Sequence, residues 1–178
     1  MSQPAVPLFL CHANCCRSVL ADYLYRHLSP GAPALSAGLD PGEQTNDRAL
    51  AMLVCWGIDA RGHRPRRLER GLCDAASALF VMAPAYLRRL LLEYGPDLAS
   101  KAYLFADPFG RPESFGGGEY TVWDPSFDER PARELVGEYA WMRERVLQIR
   151  EALLGEGRPL IAAAGYLDLL ESVDPRSH

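Results

Sequence analysis

Five residues, His12 to Cys16, separate Cys11 from Arg17, and Ser18 follows at once. A cysteine is a nucleophile as its thiolate, and a guanidinium offers a planar fork that fits two oxygens of one oxyanion, which an ammonium cannot match. A short loop between them, opening a helix, turns backbone N–H groups of His12, Ala13, Asn14, Cys15, Cys16, Arg17 and Ser18 inward and adds the positive end of the helix dipole. The expected chemistry is attack by Cys11 on a phosphorus held over it, giving a phosphocysteine and a leaving group that needs a proton. Asp107-Pro108 and Asp124-Pro125 are the two candidates for that acid, since proline holds the residue before it extended. Pattern alone does not choose between them.

Two plainer readings compete. Cys11, His12, Cys15 and Cys16 resemble a metal cluster in type, but paired C-x2-C spacing is missing and Arg17 would repel a cation, so no metal is expected. A buried structural cysteine ending a strand explains neither Arg17-Ser18 nor their spacing.

The elements that must position these residues follow from periodicity. Pro7–Cys11 is an apolar run that ends at the loop, and apolar residues at Val19, Leu20, Tyr23, Leu24 and Leu28 mark a helix that stops at Ser29-Pro30-Gly31. A strand is expected over Ala34–Gly38. A helix capped by Asn46 or Asp47 should run to Trp56 and stop at Gly57. A buried strand is expected over Ala76–Met82, a helix from Pro84 to Gly95, and a strand over Ala102–Ala106. After a glycine-rich stretch at Gly116-Gly117-Gly118, a long helix should span about Ala132 to Leu154. This alternation predicts an α/β fold with an open parallel sheet, helices on both faces and a ligand site at the carboxyl ends of the strands. Arg158–Leu170 suggests an extra helix on the core or a self-association surface, so the expected organisation is a domain over 1–155 with a C-terminal extension over 156–178.

The loop resembles that of the low-molecular-weight protein tyrosine phosphatases, Cys-x-Gly-Asn-x-Cys-Arg-Ser, with Cys11, Asn14, Cys16, Arg17 and Ser18 in register. Ser36-Ala37-Gly38, Gly57-Ile58-Asp59, His63 with Arg66, Val81-Met82 and Asp124-Pro125 resemble further landmarks in the right order, and the likeness runs from about residue 7 to 154. It implies a four-stranded, flavodoxin-like parallel sheet, Cys11 as nucleophile, Arg17 as clamp and Asp124 as the acid. It also implies a network of Asn14, Ser18, Ser36 and His63 supporting the loop, and Cys16 as redox partner of Cys11. The sequence departs from the pattern in three places. Ala13 replaces a glycine, which predicts a strained loop. Ser126 replaces an aromatic residue after Asp-Pro, leaving Phe127, with Trp123 as a substitute. Cys15 stands where tyrosine-directed relatives carry an aliphatic residue and arginine-phosphate-directed relatives a threonine.

At 178 residues and 48% hydrophobic, the chain is long enough for a full core, and its net charge of −4 argues against nucleic acid as a partner. The basic run Arg61–Arg70 is read either as a steering patch for anions or as a solvated loop. Five unevenly spaced cysteines, and an N-terminal apolar run too short for a signal or a membrane span, predict a cytoplasmic protein. The expected partners are a phosphorylated protein and an oxyanion such as inorganic phosphate, with no cofactor and no membrane, in a monomer or weak homodimer. Two alternatives remain. A weakly catalytic phosphate-binding module is suggested by Ala13 and Ser126, and a thiol-dependent arsenate reductase is disfavoured because Ala83–Leu98 holds no cysteine to relay a disulfide.

Overall fold

Pro7–Cys11, with no charged side chain, forms β1 and is buried along its whole length. The computed structural model describes residues 5–113, 115, 118, 120–131 and 134–177. Along the chain follow α1 (Arg17–Leu28), β2 (Leu35–Gly38), α2 (Asp47–Cys55), α3 (Arg70–Ala75), β3 (Ala78–Val81), α4 (Pro84–Tyr94), β4 (Ala102–Leu104), α5 (Val136–Leu153) and α6 (Leu167–Leu170). The expected starting point Ala132, and Gly116 and Gly117, lie outside the described residues.

The four strands are parallel in the order β2-β1-β3-β4. Connections leave β1 first toward β2 and then, across it, toward β3, so the chain reverses direction at β1. The crevice beyond the carboxyl end of that strand is the topological switch point, where open α/β sheets take ligands. Cys11 is its last residue, paired in register with Gly38 of β2.

Parallel strands covered on both faces read as continuous apolar runs, and these do. Phe9, Phe80 and Tyr103 stand side by side in register across β1, β3 and β4, with ring centroids 5.7 and 5.4 Å apart. Tyr25 of α1 meets Phe9 at 6.0 Å, and Phe105 after β4 meets Trp141 of α5 at 6.2 Å. Helices α1 and α5 pack together over this aromatic row, while α4 packs along β3 and β4. Asn46, whose side chain accepts from Arg48 N at 2.9 Å, starts α2, and Pro84 in the first turn starts α4.

Two segments add to the sequence reading. The basic run is loop up to Glu69, apart from a bridge of Arg67 to Gly38, and Arg70 opens α3, a short helix that buries Cys73. In the extension, residues 160–162 lie outside regular structure, with Ile161 N donating to Pro108 O at 2.8 Å, and a 3₁₀ turn (Ala163–Gly165) and α6 follow within the span where an extra helix was expected. Ala163, Tyr166 and Leu170 bury their side chains against the rest of the chain. Among the described residues, no helix is long and apolar enough to cross a membrane.

Gly38 is required for a reason of space. A Cβ there would stand 2.6 Å from the His12 carbonyl oxygen and 2.8 Å from Asn14 N, both backbone atoms. Gly38→Ala is expected to cost about 2 kcal/mol in urea denaturation, because a backbone neighbour must move to admit the methyl. Tyr166 is 1% exposed, and Tyr166→Ala is expected to cost about 3 kcal/mol or more in the same assay. A change below half a kilocalorie would mean that the extension is not part of the packed core.

Candidate active site

The loop from Cys11 to Arg17 is folded by its carbonyls. Those of Cys11, His12, Ala13 and Cys15 accept from the N–H groups of Leu39, Asp40, Gly42 and Asn46, at 2.9 to 3.3 Å. The Asn14 carbonyl lies 3.3 Å from His63 Nε2, and the Cys16 carbonyl accepts from Leu20 N at 2.9 Å. In a planar peptide the N–H points opposite to the C=O, so carbonyls tied to the outer segment leave the amide hydrogens on the inside of the turn. Asn14 N, 3.3 Å from Cys11 Sγ, shows that direction.

Asn14 holds the turn at φ +53°, the one left-handed non-glycine residue among those described. The strain expected at Ala13 is therefore absent; the tight position belongs to its neighbour, and asparagine is among the residues that tolerate it. The Asn14 side chain is fully buried, and Oδ1 accepts from Arg66 N at 3.0 Å. That bond fixes the amide so that Nδ2 donates to Ser18 Oγ, also at 3.0 Å. Ser18 Oγ lies 3.0 Å from Cys11 Sγ, where its hydroxyl can donate to the sulfur once that is a thiolate. A chain of hydrogen bonds from Arg66 N through Asn14 to Ser18 thus reaches the sulfur. Because the Asn14 carbonyl can only accept, His63 must carry its proton on Nε2, and burial lowers its pKa despite that acceptor and the nearby Asp22.

Arg17, 5% exposed, lies across the opening. Its terminal nitrogens reach Val122 O at 3.2 Å, the Tyr86 hydroxyl at 3.2 Å and Asp124 Oδ2 at 2.7 Å, and its guanidinium lies 5.4 Å from the Tyr86 ring centre. Burial works against its charge, but facing Cys11, Asp124 and Tyr86 outweigh it and raise the pKa further. Its Nε is buried with no hydrogen-bond partner among the described residues. Cys11, Arg17 and Asp124 share the wall of one cavity of about 570 Å³, with the segment Gln44–Arg48, Tyr86, Ser126 and Phe127 around the rim.

Other residues singled out from the sequence fall in different places. Asp107 is a turn residue that accepts from Phe109 N at 3.1 Å and does not line the cavity. Ser36 is linked to the loop through two other side chains. Its hydroxyl donates to Asp22 Oδ2 at 2.8 Å, and its carbonyl accepts from Arg66 Nε at 2.8 Å, so it braces the residue that orients Asn14. Asp22, almost fully buried, has its pKa raised by that burial although Arg26 and Ser36 both hold it. Trp123 does not line the reaction cavity; its indole donates to Asp128 and its ring meets Tyr139, leaving Tyr86 and Phe127 as the aromatics of the rim. Cys15 lines the cavity and packs where a Cβ on Gly42 would meet its sulfur at 2.5 Å. The Cys16 thiol is buried, and burial together with the Asp124 and Cys11 charges pushes its pKa up.

Part of the basic run is structural: Arg66 N and Nε act as above, and Arg67 donates to Leu39 O at 2.7 Å. The sequence reading missed Tyr86 and Asp22. Position was the available signal for Tyr86, two residues into a helix that follows a central strand. Among the described residues no group of three or more His, Cys, Asp or Glu is placed to hold a metal ion.

The chain is similar to several known proteins. A probable low molecular weight protein-tyrosine-phosphatase, EpsP of Ralstonia solanacearum, is 33% identical over 85 residues, 47% of this chain, and the chain spans 59% of that relative. The YwlE arginine phosphatase from Geobacillus stearothermophilus shares the fold at a TM-score of 0.70 and 24% identity, over 86% of this chain and 95% of that one. The tyrosine phosphatase Wzb from Escherichia coli K30, solved with sulphate, does so at 0.69 and 21%, over 85% and 99%. Because residues 7–138 match the model of the low molecular weight phosphotyrosine protein phosphatases, the chain belongs to that family of cysteine-based hydrolases.

Proposed function

We propose that the chain hydrolyses phosphotyrosine in proteins through a phosphocysteine on Cys11. The observation that carries this reading is the convergence on one cavity of a sulfur at the end of a hydrogen-bonded chain, a buried guanidinium and a carboxylate. The loop amides of His12 to Ser18 and the Arg17 fork hold the phosphoryl oxygens, and the unpartnered Arg17 Nε gains an acceptor there. Cys11 Sγ attacks phosphorus in line, the P–O bond to the leaving group breaks, and Asp124 gives that oxygen a proton. Asp124 then takes a proton from water, which attacks phosphorus, breaks the S–P bond and releases inorganic phosphate. Asn14, Ser18 and His63 keep the loop in shape and Ser36 acts through Asp22 and Arg66. Tyr86 and Phe127, the latter 85% exposed at the rim, supply aromatic surface for a phenyl ring. The five cysteines are unpaired, which supports a reducing, cytoplasmic setting.

Turnover of an aryl phosphate tests the roles. Cys11→Ser is expected to abolish it while phosphate still binds, and Asp124→Asn to lower kcat by about 10²- to 10⁴-fold with little change in KM. Phosphotyrosine and phosphoarginine peptides assayed side by side decide the substrate; faster hydrolysis of phosphoarginine would overturn the tyrosine assignment.

Cys16 is the proposed redox partner. Hydrogen peroxide converts the Cys11 thiolate to a sulfenic acid, and the Cys16 thiol attacks that sulfur, forming the disulfide and releasing water. The raised Cys16 pKa makes the second step slow at neutral pH and faster as pH rises. Enzyme treated with excess peroxide is expected to recover its activity with dithiothreitol, whereas in Cys16→Ser a second peroxide oxidises the Cys11 sulfenic acid to sulfinic acid and recovery is lost; mass spectrometry without an 11–16 disulfide would refute the pairing.

A further inference from the structure

Beside the reaction cavity lies a second one, of about 420 Å³, which shares His12 and Tyr86 with it. Arg89 and Glu93 of α4 line it together with Pro175 and Arg176. These last residues belong to the C-terminal extension, beyond the residues matched by the family model. The extension is held in place: Leu170 is buried, its carbonyl accepts from Arg88 at 2.6 Å, and Asp168 pairs with Arg111 at 3.0 Å. The tail therefore returns along α4 to the mouth of the site.

The charges of this groove are unevenly committed. Arg89 is engaged by both Asp40 and Glu93, and Asp40 also meets Arg67 at 3.4 Å, so two guanidiniums serve the two groove carboxylates. Arg176 is 89% exposed and meets Asp174 through Nε at 3.3 Å, a contact in water that holds it weakly. Arg88 also bears on Asp174, offsetting its charge. A guanidinium so placed takes a carboxylate in two parallel bonds.

We infer that this groove is a subsite for the substrate chain next to the phosphorylated residue, and that Arg176 selects an acidic side chain there. The inference rests on the phosphatase reading above. With the phosphoryl group over Cys11, the ring passes Tyr86 and the flanking residues of the peptide lie between α4 and the tail.

The test uses the full chain and two phosphotyrosine peptides, identical except that glutamates flanking the phosphorylated residue are replaced by alanine in one. The wild type is expected to favour the acidic peptide in kcat/KM by about five- to tenfold, chiefly through KM, and less so at high salt. Arg176→Ala should erase the preference and Arg176→Glu reverse it, while both variants still hydrolyse the neutral peptide. An unchanged ratio in both variants overturns the subsite. Should the wild type hydrolyse neither peptide nor an aryl phosphate, the phosphatase reading itself has failed.

Discussion

The site depends on a single asparagine turned the uncommon way. With Asn14 in the left-handed region, the peptide planes on either side of it can direct their carbonyls outward, and the amide hydrogens are left to line a ring. The turn is held from both ends of the side chain, by Arg66 N on one atom and Ser18 on the other. Its backbone rests on β2 at a point where only glycine leaves room. Loss of any of these would let the ring open, since left-handed backbone costs about 1 to 2 kcal/mol and persists only where its surroundings impose it.

Burying a guanidinium is the second constraint. Arg17 is removed from water, which is tolerable only because a carboxylate, a phenol and a main-chain carbonyl surround it. Those partners come from α4 and from the segment before the Pro125–Phe127 turn, widely separated in sequence from the loop. The parallel sheet brings them together: β1 and β3 end side by side, so the loop after β1 and the start of α4 after β3 meet over the same crevice.

Much of the fold was legible because its signals are local. Apolar runs mark β1 and β3, Asn46 and Pro84 mark helix starts, and the spacing from Cys11 to Arg17 lies within one strand, loop and helix unit. The features that escaped the sequence depend on long-range register. Arg66 acts through its backbone N–H, which no residue type announces, and Ser36 points to Asp22 because β2 lies over α1, a fact that only the pairing supplies. Trp123 reads as a cleft aromatic until Asp128 and Tyr139 are seen to claim it. A glycine replaced by Ala13 suggests positive φ and hence strain at that position, whereas the turn places that demand one residue later.

Helix α1 begins without the usual protection. Its N-cap, Cys16, makes no side-chain hydrogen bond to the first turn, and no acidic residue stands in that turn. A missing cap of this kind lowers helix stability by roughly 1 kcal/mol. The first-turn N–H donors have no partner within any helix and here lack a capping side chain, so an oxyanion settling there caps the helix as well as filling the site. By mass action, any oxyanion bound in this way stabilises the folded chain as well as occupying its site.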